Sequence, residues 1–140
     1  MYQGLACSSQ DWILSSLLDA TIQSDSGIRK QDGATVITAI SQNPLGRYLV
    51  WDWLRGNWAE ISAYYDPSSI KTIASVIESV TNNFNTVFEL NQLQEFYDEH
   101  KDDLASAEKA TKARILSVKE NIAWMETYYN EIESWLIENN

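Results

Sequence analysis

The stretch I-K-T-I-A-S-V-I-E-S-V, residues 70–80, decides the fold class of this chain. Its apolar side chains recur at positions i, i+3, i+4, i+7 and i+10: Ile70, Ile73, Ala74, Ile77 and Val80. That spacing places them on one side of an α-helix. The stretch therefore predicts an amphipathic helix that buries one face against other helices.

The periodicity stays helical in both directions from this stretch. It predicts further helices over about residues 12–22, 29–41, 44–65, 86–97, 104–125 and 128–136. Arg55-Gly56-Asn57 ends or kinks the third of these, because glycine disfavours a helix interior, and Asp66-Pro67-Ser68 marks a break. The prediction is an all-α chain of about seven antiparallel helices. They stack as an α-solenoid segment or as an orthogonal bundle.

Three polar segments predict where helices begin. Asn43-Pro44 fits an N-cap followed by proline at the first helical position. Thr86-Val87-Phe88-Glu89 fits a capping box, in which the Thr and Glu side chains each bind the other's backbone N–H. Ser8-Ser9-Gln10-Asp11 fits a variant of the same motif with an acidic third position. All three agree with the helical periodicity that follows them.

Length and composition predict one domain, residues 1–140, of an acidic and soluble kind. The chain has 20 Asp and Glu against 10 Lys and Arg, and its formal net charge is −10. This excludes a partner bound through a phosphate backbone, and so excludes nucleic acid, because such binding needs a basic face. No apolar run approaches the length of a membrane span.

The chain has one cysteine, Cys7, and one histidine, His100. An intrachain disulfide and a cysteine- or histidine-rich zinc site are therefore excluded. Cys7 follows Leu5-Ala6 and is predicted to be a small buried residue. His100 is predicted to be a solvated histidine at a helix end rather than a catalytic group.

Three tryptophans fall within eight residues, at positions 51, 53 and 58. Trp51 and Trp58 are seven residues apart and share one face of a helix, whereas Trp53 points elsewhere. Such a cluster can be a ligand platform. The favoured interpretation is that at least two of the three are core residues, because aromatic side chains bury the most area.

Arg29-Lys30-Gln31-Asp32 is an unusual polar cluster at the point where a loop becomes a helix. One interpretation is a solvated helix start, with Asp32 favoured in the first turn by the helix dipole. The other is a loop–helix edge at which the forked guanidinium of Arg29 meets an acidic group of a ligand.

An ordered series of short motifs carries a family resemblance. The most specific part is Ile28 to Asp32 together with Val50-Trp51-Asp52 and Asn57-Trp58. Other members of the series are Leu5-Ala6-Cys7, Trp12-Ile13-Leu14, Glu89-Leu90 and Asn121-Ile122-Ala123-Trp124. The series covers nearly the whole chain. It resembles the ERAP-like C-terminal end of the zinc-dependent gluzincin aminopeptidases, the aminopeptidase N family.

The resemblance implies a HEAT- or armadillo-like stack in a large zinc exopeptidase that removes N-terminal residues from peptides. The family's zinc motif lies in an earlier domain and does not occur here, so the chain is expected to hold no metal and no catalytic residues of its own. In this family the domain closes the substrate chamber and can contact the distal part of the peptide. Arg29 and Gln31 match the family's R-K-Q-D segment, and both are expected to bind substrate.

The resemblance also implies partners and a location. The expected partners are the parent's catalytic domain, the peptide substrate and, as in several members, a second copy in a homodimer. The parent is expected to be extracellular and membrane-anchored, and some gut members are docking sites for bacterial toxins. The chain alone should expose an apolar patch where it packs on its parent. The alternative function is a receptor module recognised by another protein, such as a toxin or an antibody, independently of peptidase activity.

Overall fold

The computed structural model describes residues 2–65 and 70–139 of the chain. Within that part lie eight α-helices, and no strand is present. The helices are α1 (Tyr2–Leu5), α2 (Asp11–Ala20), α3 (Lys30–Ser41), α4 (Gly46–Gly56), α5 (Trp58–Tyr65), α6 (Ile70–Thr81), α7 (Val87–His100) and α8 (Glu108–Glu138). A 3-10 turn, Ala105–Ala107, precedes α8. The all-α prediction is confirmed.

Helix α6, the amphipathic stretch, lies at the centre of the packing. It contacts α3, α4, α5 and the first part of α8, while α4 also packs on α2 and α3. Ile73, Ile77 and Val80 are buried, as the spacing predicts, and Val76 is buried beside them. The side chain of Ile70 and the break predicted at 66–68 lie outside the described residues.

The tryptophans belong to the core. Trp51 lies edge-on to Phe84 at 5.4 Å and to Phe96 at 5.5 Å, and Trp58 lies edge-on to Phe96 at 5.0 Å. Edge-to-face ring pairs add roughly 0.5–1.5 kcal/mol each beyond the area they bury. Trp53 does point elsewhere, but it is also buried, and its indole N–H donates to Asp19 on α2 at 2.9 Å. The core interpretation is confirmed.

Most predicted helix starts and ends hold, with small shifts. The capping box of Thr86 and Glu89 is present at the start of α7. Asn57 ends α4: its backbone N–H and its side-chain amide both donate to Trp53 O. Helix α4 begins at Gly46, two residues after Pro44, because Asn43 caps the preceding turn by accepting from the Leu45 N–H. The side-chain amide of Asn43 also donates to Ala6 and Ser8 carbonyls, which ties α4 to the α1–α2 connection.

The amino end departs from the prediction. Helix α2 begins at Asp11 with Gln10 at the N-cap position and without a side-chain cap, so the capping motif predicted at Ser8 is wrong. The Ser8 hydroxyl instead accepts from the Gln10 N–H within the turn. Cys7 is exposed rather than buried, because Ala6 occupies the buried position. Trp12 is 69% exposed, since the buried face of α2 runs through its leucines.

The carboxyl end departs more strongly. Helices were predicted over 104–125 and 128–136, but residues 108–138 form the single helix α8 of 31 residues. No glycine or proline interrupts this stretch, so nothing in the local chemistry ends the helix. At 1.5 Å per residue it is about 46 Å long. Its buried residues stop at Val118, with Ile122 partly buried, and the helix then projects from the body.

Candidate functional site

The Arg29 segment lies at the start of α3 on the surface. Arg29 is the N-cap residue in extended backbone conformation, and its side chain is 72% exposed. Its Nε–H donates to Asp32 Oδ2 at 2.6 Å, and this hydrogen bond raises the pKa of the guanidinium. Gln31, two residues further along the chain, is also exposed. The structure therefore presents both Arg29 and Gln31 to solvent, and a carboxylate of α3 holds the guanidinium of Arg29.

Packing beneath this segment fixes its position. Gly33 faces Tyr65, whose hydroxyl donates to Thr21 O at 2.9 Å. A Cβ at Gly33 would stand 2.0 Å from that hydroxyl oxygen, so only glycine lets α3 approach α5 this closely. Lys30 Nζ lies 5.4 Å from the centre of the Tyr64 ring, a cation–π contact. The polar segment therefore lies where α3, α5 and the end of α2 pack closely together.

A buried ion pair joins α4 to the start of α7. Arg47 Nη2 lies 2.5 Å from Glu89 Oε1, and the Glu89 side chain is only 3% exposed. The other oxygen, Oε2, accepts from the Asn85 and Thr86 N–H groups and from the Thr86 hydroxyl. Burial alone would raise the pKa of Glu89, but these donors and Arg47 together lower it. The capping box predicted Glu89 as a helix cap; nothing in the sequence predicted its ion pair with Arg47.

A polar cleft of about 380 Å³ opens beside this pair. Its walls are Arg47, Asn82, Asn83, Asn85, Asn121, Trp124 and Met125. The Asn121 amide donates to Phe84 O at 2.8 Å and so joins α8 to the loop before α7. Arg114 supports the same loop by donating to Thr81 O at 3.0 Å. The cleft lies where the last buried turns of α8 give way to its projecting half.

The projecting half of α8 carries a continuous apolar surface, which we call the α8 stripe. Its members are Trp124, Tyr128, Tyr129, Ile132, Trp135 and Leu136, each between 44% and 61% exposed. At 100° per residue they fall within about 140° of the helix circumference. Four half-exposed aromatic rings present on the order of 100 Å² each, which together reach the size of surfaces that mark interaction sites.

His100 lies in a second cleft, where it is not the solvated residue that the sequence predicted. Its side chain is 18% exposed, and its ring lies 4.9 Å from Phe96 and 5.5 Å from Trp58. The two aromatic rings come from α7 and α5, so His100 completes the aromatic core at the end of α7. The nearest carboxylate is Glu99, at 3.8 Å from Nε2.

The described residues show neither a metal site nor a membrane-spanning helix. Among residues 2–65 and 70–139, no group of three or more His, Cys, Asp or Glu side chains is arranged to hold a metal ion. In the same part of the chain no helix combines the length and the apolar character needed to cross a bilayer; α8 is long enough but carries charges throughout.

Comparison with known proteins agrees with this architecture. The family model described as the ERAP1-like C-terminal domain matches residues 1–120. Aminopeptidase N of the rat, Rattus norvegicus, is 35% identical over 137 residues, which are 97% of this chain and 14% of the relative.

Two further relatives match nearly the whole chain as well. Human aminopeptidase N is 34% identical over 137 residues, 97% of this chain and 14% of its own length. Aminopeptidase Ey of Gallus gallus is 34% identical over 132 residues, 94% of this chain and 13% of its own length. The chain thus spans about one seventh of these relatives. It belongs to the family of ERAP1-like C-terminal domains and corresponds to the C-terminal region of aminopeptidase N-like proteins.

Proposed function

We propose that this chain is the non-catalytic C-terminal domain of a zinc-dependent aminopeptidase, which removes N-terminal residues from peptides. The zinc ion belongs to the parent's catalytic domain. The chain caps the substrate chamber by packing against the catalytic domain, and it offers a protein-interaction surface. A parent that is extracellular and membrane-anchored fits the same proposal.

The observation that carries this proposal is the α8 stripe. The matching region is about one seventh of the relatives' length, so a parent of that length would offer a large surface, and the apolar face of the projecting helix would supply the contact. Left in water, such a surface is unfavourable by about 25 cal/mol for each Å² of apolar area. A capping role explains why it persists beside an otherwise well-buried core.

Hydrogen exchange tests the capping role. The backbone amides of residues 124–138 are compared in the isolated chain and in the native parent protein. In the isolated chain they should exchange fast, because this half of α8 has no buried residue to hold it closed. In the parent they should be protected. Equal exchange in both proteins would show that nothing in the parent covers the helix.

Arg29 and Gln31 are proposed to bind the distal part of the peptide substrate, with Arg29 facing a carboxylate. Support comes from their exposure and from the rigid mounting of the segment on Gly33 and Tyr65. The test uses peptides of uncharged residues that end in either a free carboxylate or an amide. In the parent enzyme, Arg29→Ala should raise KM for the peptides with a C-terminal carboxylate and leave KM for the amidated peptides unchanged. Lys101→Ala is the control, because Lys101 is an exposed cation on a different element, at the end of α7. An equal change in KM for both peptide forms would exclude this role.

A receptor module recognised by another protein, such as a toxin or an antibody, remains the second candidate. Two exposed side chains on the body favour it: Trp12 and Phe88 are each 69% exposed. Trp12→Ser or Phe88→Ser should weaken the binding of such a partner while the peptidase activity of the parent stays unchanged. A homodimer through this domain is a third arrangement, and sedimentation of the native parent measures it.

A further inference from the structure

The α8 stripe has charged borders of a single sign. At 100° per residue, Glu126 and Glu133 lie along one side of the stripe, and Glu131 and Glu138 lie along the other. All four are exposed. The last basic residue of the chain is Lys119, which precedes the stripe. For about 22 Å of helix, an apolar band therefore runs between two rows of carboxylates.

We propose that the α8 stripe docks, as a helix in a groove, into a protein surface whose apolar floor is bordered by Lys and Arg. Charge complementarity favours this partner, because a basic border would pair with both rows of carboxylates while the aromatic side chains of the stripe contact the apolar floor. Trp and Tyr are the residue types enriched at such anchor positions, and the stripe carries two of each. This inference rests on the proposed function and names the chemistry of the surface that covers the stripe.

The same charges disfavour two other occupants. A second copy of α8 would bring its own two glutamate rows against these, and like charges across an interface are unfavourable. An amphipathic helix that lies on an anionic membrane carries Lys and Arg on its polar face, whereas this segment carries only glutamates. Both occupants would use the stripe, so they serve as contrary outcomes of one experiment.

The test uses the 140-residue chain and two synthetic helical peptides. Both peptides repeat Leu at positions i, i+3, i+4 and i+7; one has Lys on both sides of this face and the other has Glu at the same positions. Binding is followed by the fluorescence anisotropy of the labelled peptide. The Lys-bordered peptide should bind at least about tenfold more tightly than its Glu twin, and added salt should reduce the difference.

Matched variants locate the binding. Ile132 is 44% exposed at the centre of the stripe, and Leu116 is 62% exposed on the opposite face of the same helix. Ile132→Asp and Leu116→Asp add the same charge, so only the loss of an apolar contact distinguishes them. Ile132→Asp should weaken the Lys-bordered peptide by about tenfold or more, and Leu116→Asp by no more than about twofold.

Four results would overturn the inference. They are equal binding of the two peptides, equal effects of the two variants, a dimer of the chain that Ile132→Asp dissolves, and capture of the chain by phosphatidylcholine vesicles that Ile132→Asp abolishes. None of these results would contradict the proposal that the parent is an aminopeptidase, because the mass and activity of the parent are measured separately. Protection of residues 124–138 in the parent without a preference for the Lys-bordered peptide would leave the capping role standing and reject the basic border.

Discussion

Replacement of Glu89 should destabilise the domain more than that of any exposed glutamate. The Glu89 side chain is 3% exposed and its partner Arg47 is 22% exposed, so removing the carboxylate leaves a largely buried guanidinium without its counter-charge. Breaking a buried pair in this way costs about 3–5 kcal/mol. Because Arg47 retains some access to water, we expect the lower end of that range, about 3 kcal/mol, for Glu89→Gln.

Glu89→Ala should cost about 1 kcal/mol more than Glu89→Gln, because it also removes the acceptor for the Asn85 and Thr86 N–H groups. Urea unfolding at pH 7, followed by circular dichroism, measures these differences. The control is Glu95→Gln, a substitution at an exposed position of the same helix that should lie within about 0.5 kcal/mol of wild type. If Glu89→Gln were as mild as this control, the pair would contribute nothing and our reasoning would be refuted.

The pH dependence gives an independent check on Glu89. Its pKa is lowered in the folded chain below the ordinary value of 4.5, so the unfolded chain binds more protons across that interval. The stabilisation is therefore fully present above about pH 4.5 and is lost as the pH falls through the folded pKa. The difference between wild type and Glu89→Gln should be constant near neutrality and shrink on acidification.

The remaining predictions concern packing and the exposed helix. Gly33→Ala should cost about 1–3 kcal/mol in urea unfolding, because its Cβ meets the Tyr65 hydroxyl, and Tyr65→Phe should relieve part of that cost in the double variant. Burial raises the pKa of Tyr65 to about 12, so ultraviolet titration should show that this tyrosine ionises only at a pH well above 10. Its contribution to the free energy of unfolding is fully present below pH 10 and is lost as the pH rises through 12. Ile132→Asp should change the free energy of unfolding by less than about 0.5 kcal/mol, whereas Ile77→Asp in the core should prevent folding.

The parts of the fold that the sequence predicted are those governed by local rules. Helical spacing identified α6 and its buried face, and the Thr86–Glu89 capping box appeared where the two side chains stand three residues apart. The seven-residue separation of Trp51 and Trp58 predicted that they share one face and belong to the core. Each of these depends on residues within two turns of one another.

The errors arose where tertiary contacts decide the outcome. The spacing of Trp12 fits the apolar face of α2, yet the neighbouring helices cover only the leucines. The pair of Arg47 and Glu89 joins residues 42 positions apart, which no local pattern records. Residues 128–136 were predicted to form a separate last helix, but they continue α8 into solvent. Periodicity identifies an apolar face and says nothing about whether the same chain covers it.

Isolation of the native protein tests the central claim most directly. An antibody raised against this chain would purify the antigen from its source, and its mass and its hydrolysis of aminoacyl amides would be measured with and without a zinc chelator. We expect a protein several times larger than 16.0 kDa whose activity the chelator abolishes. A native protein near 16.0 kDa without peptidase activity would contradict the account and leave a separate binding module.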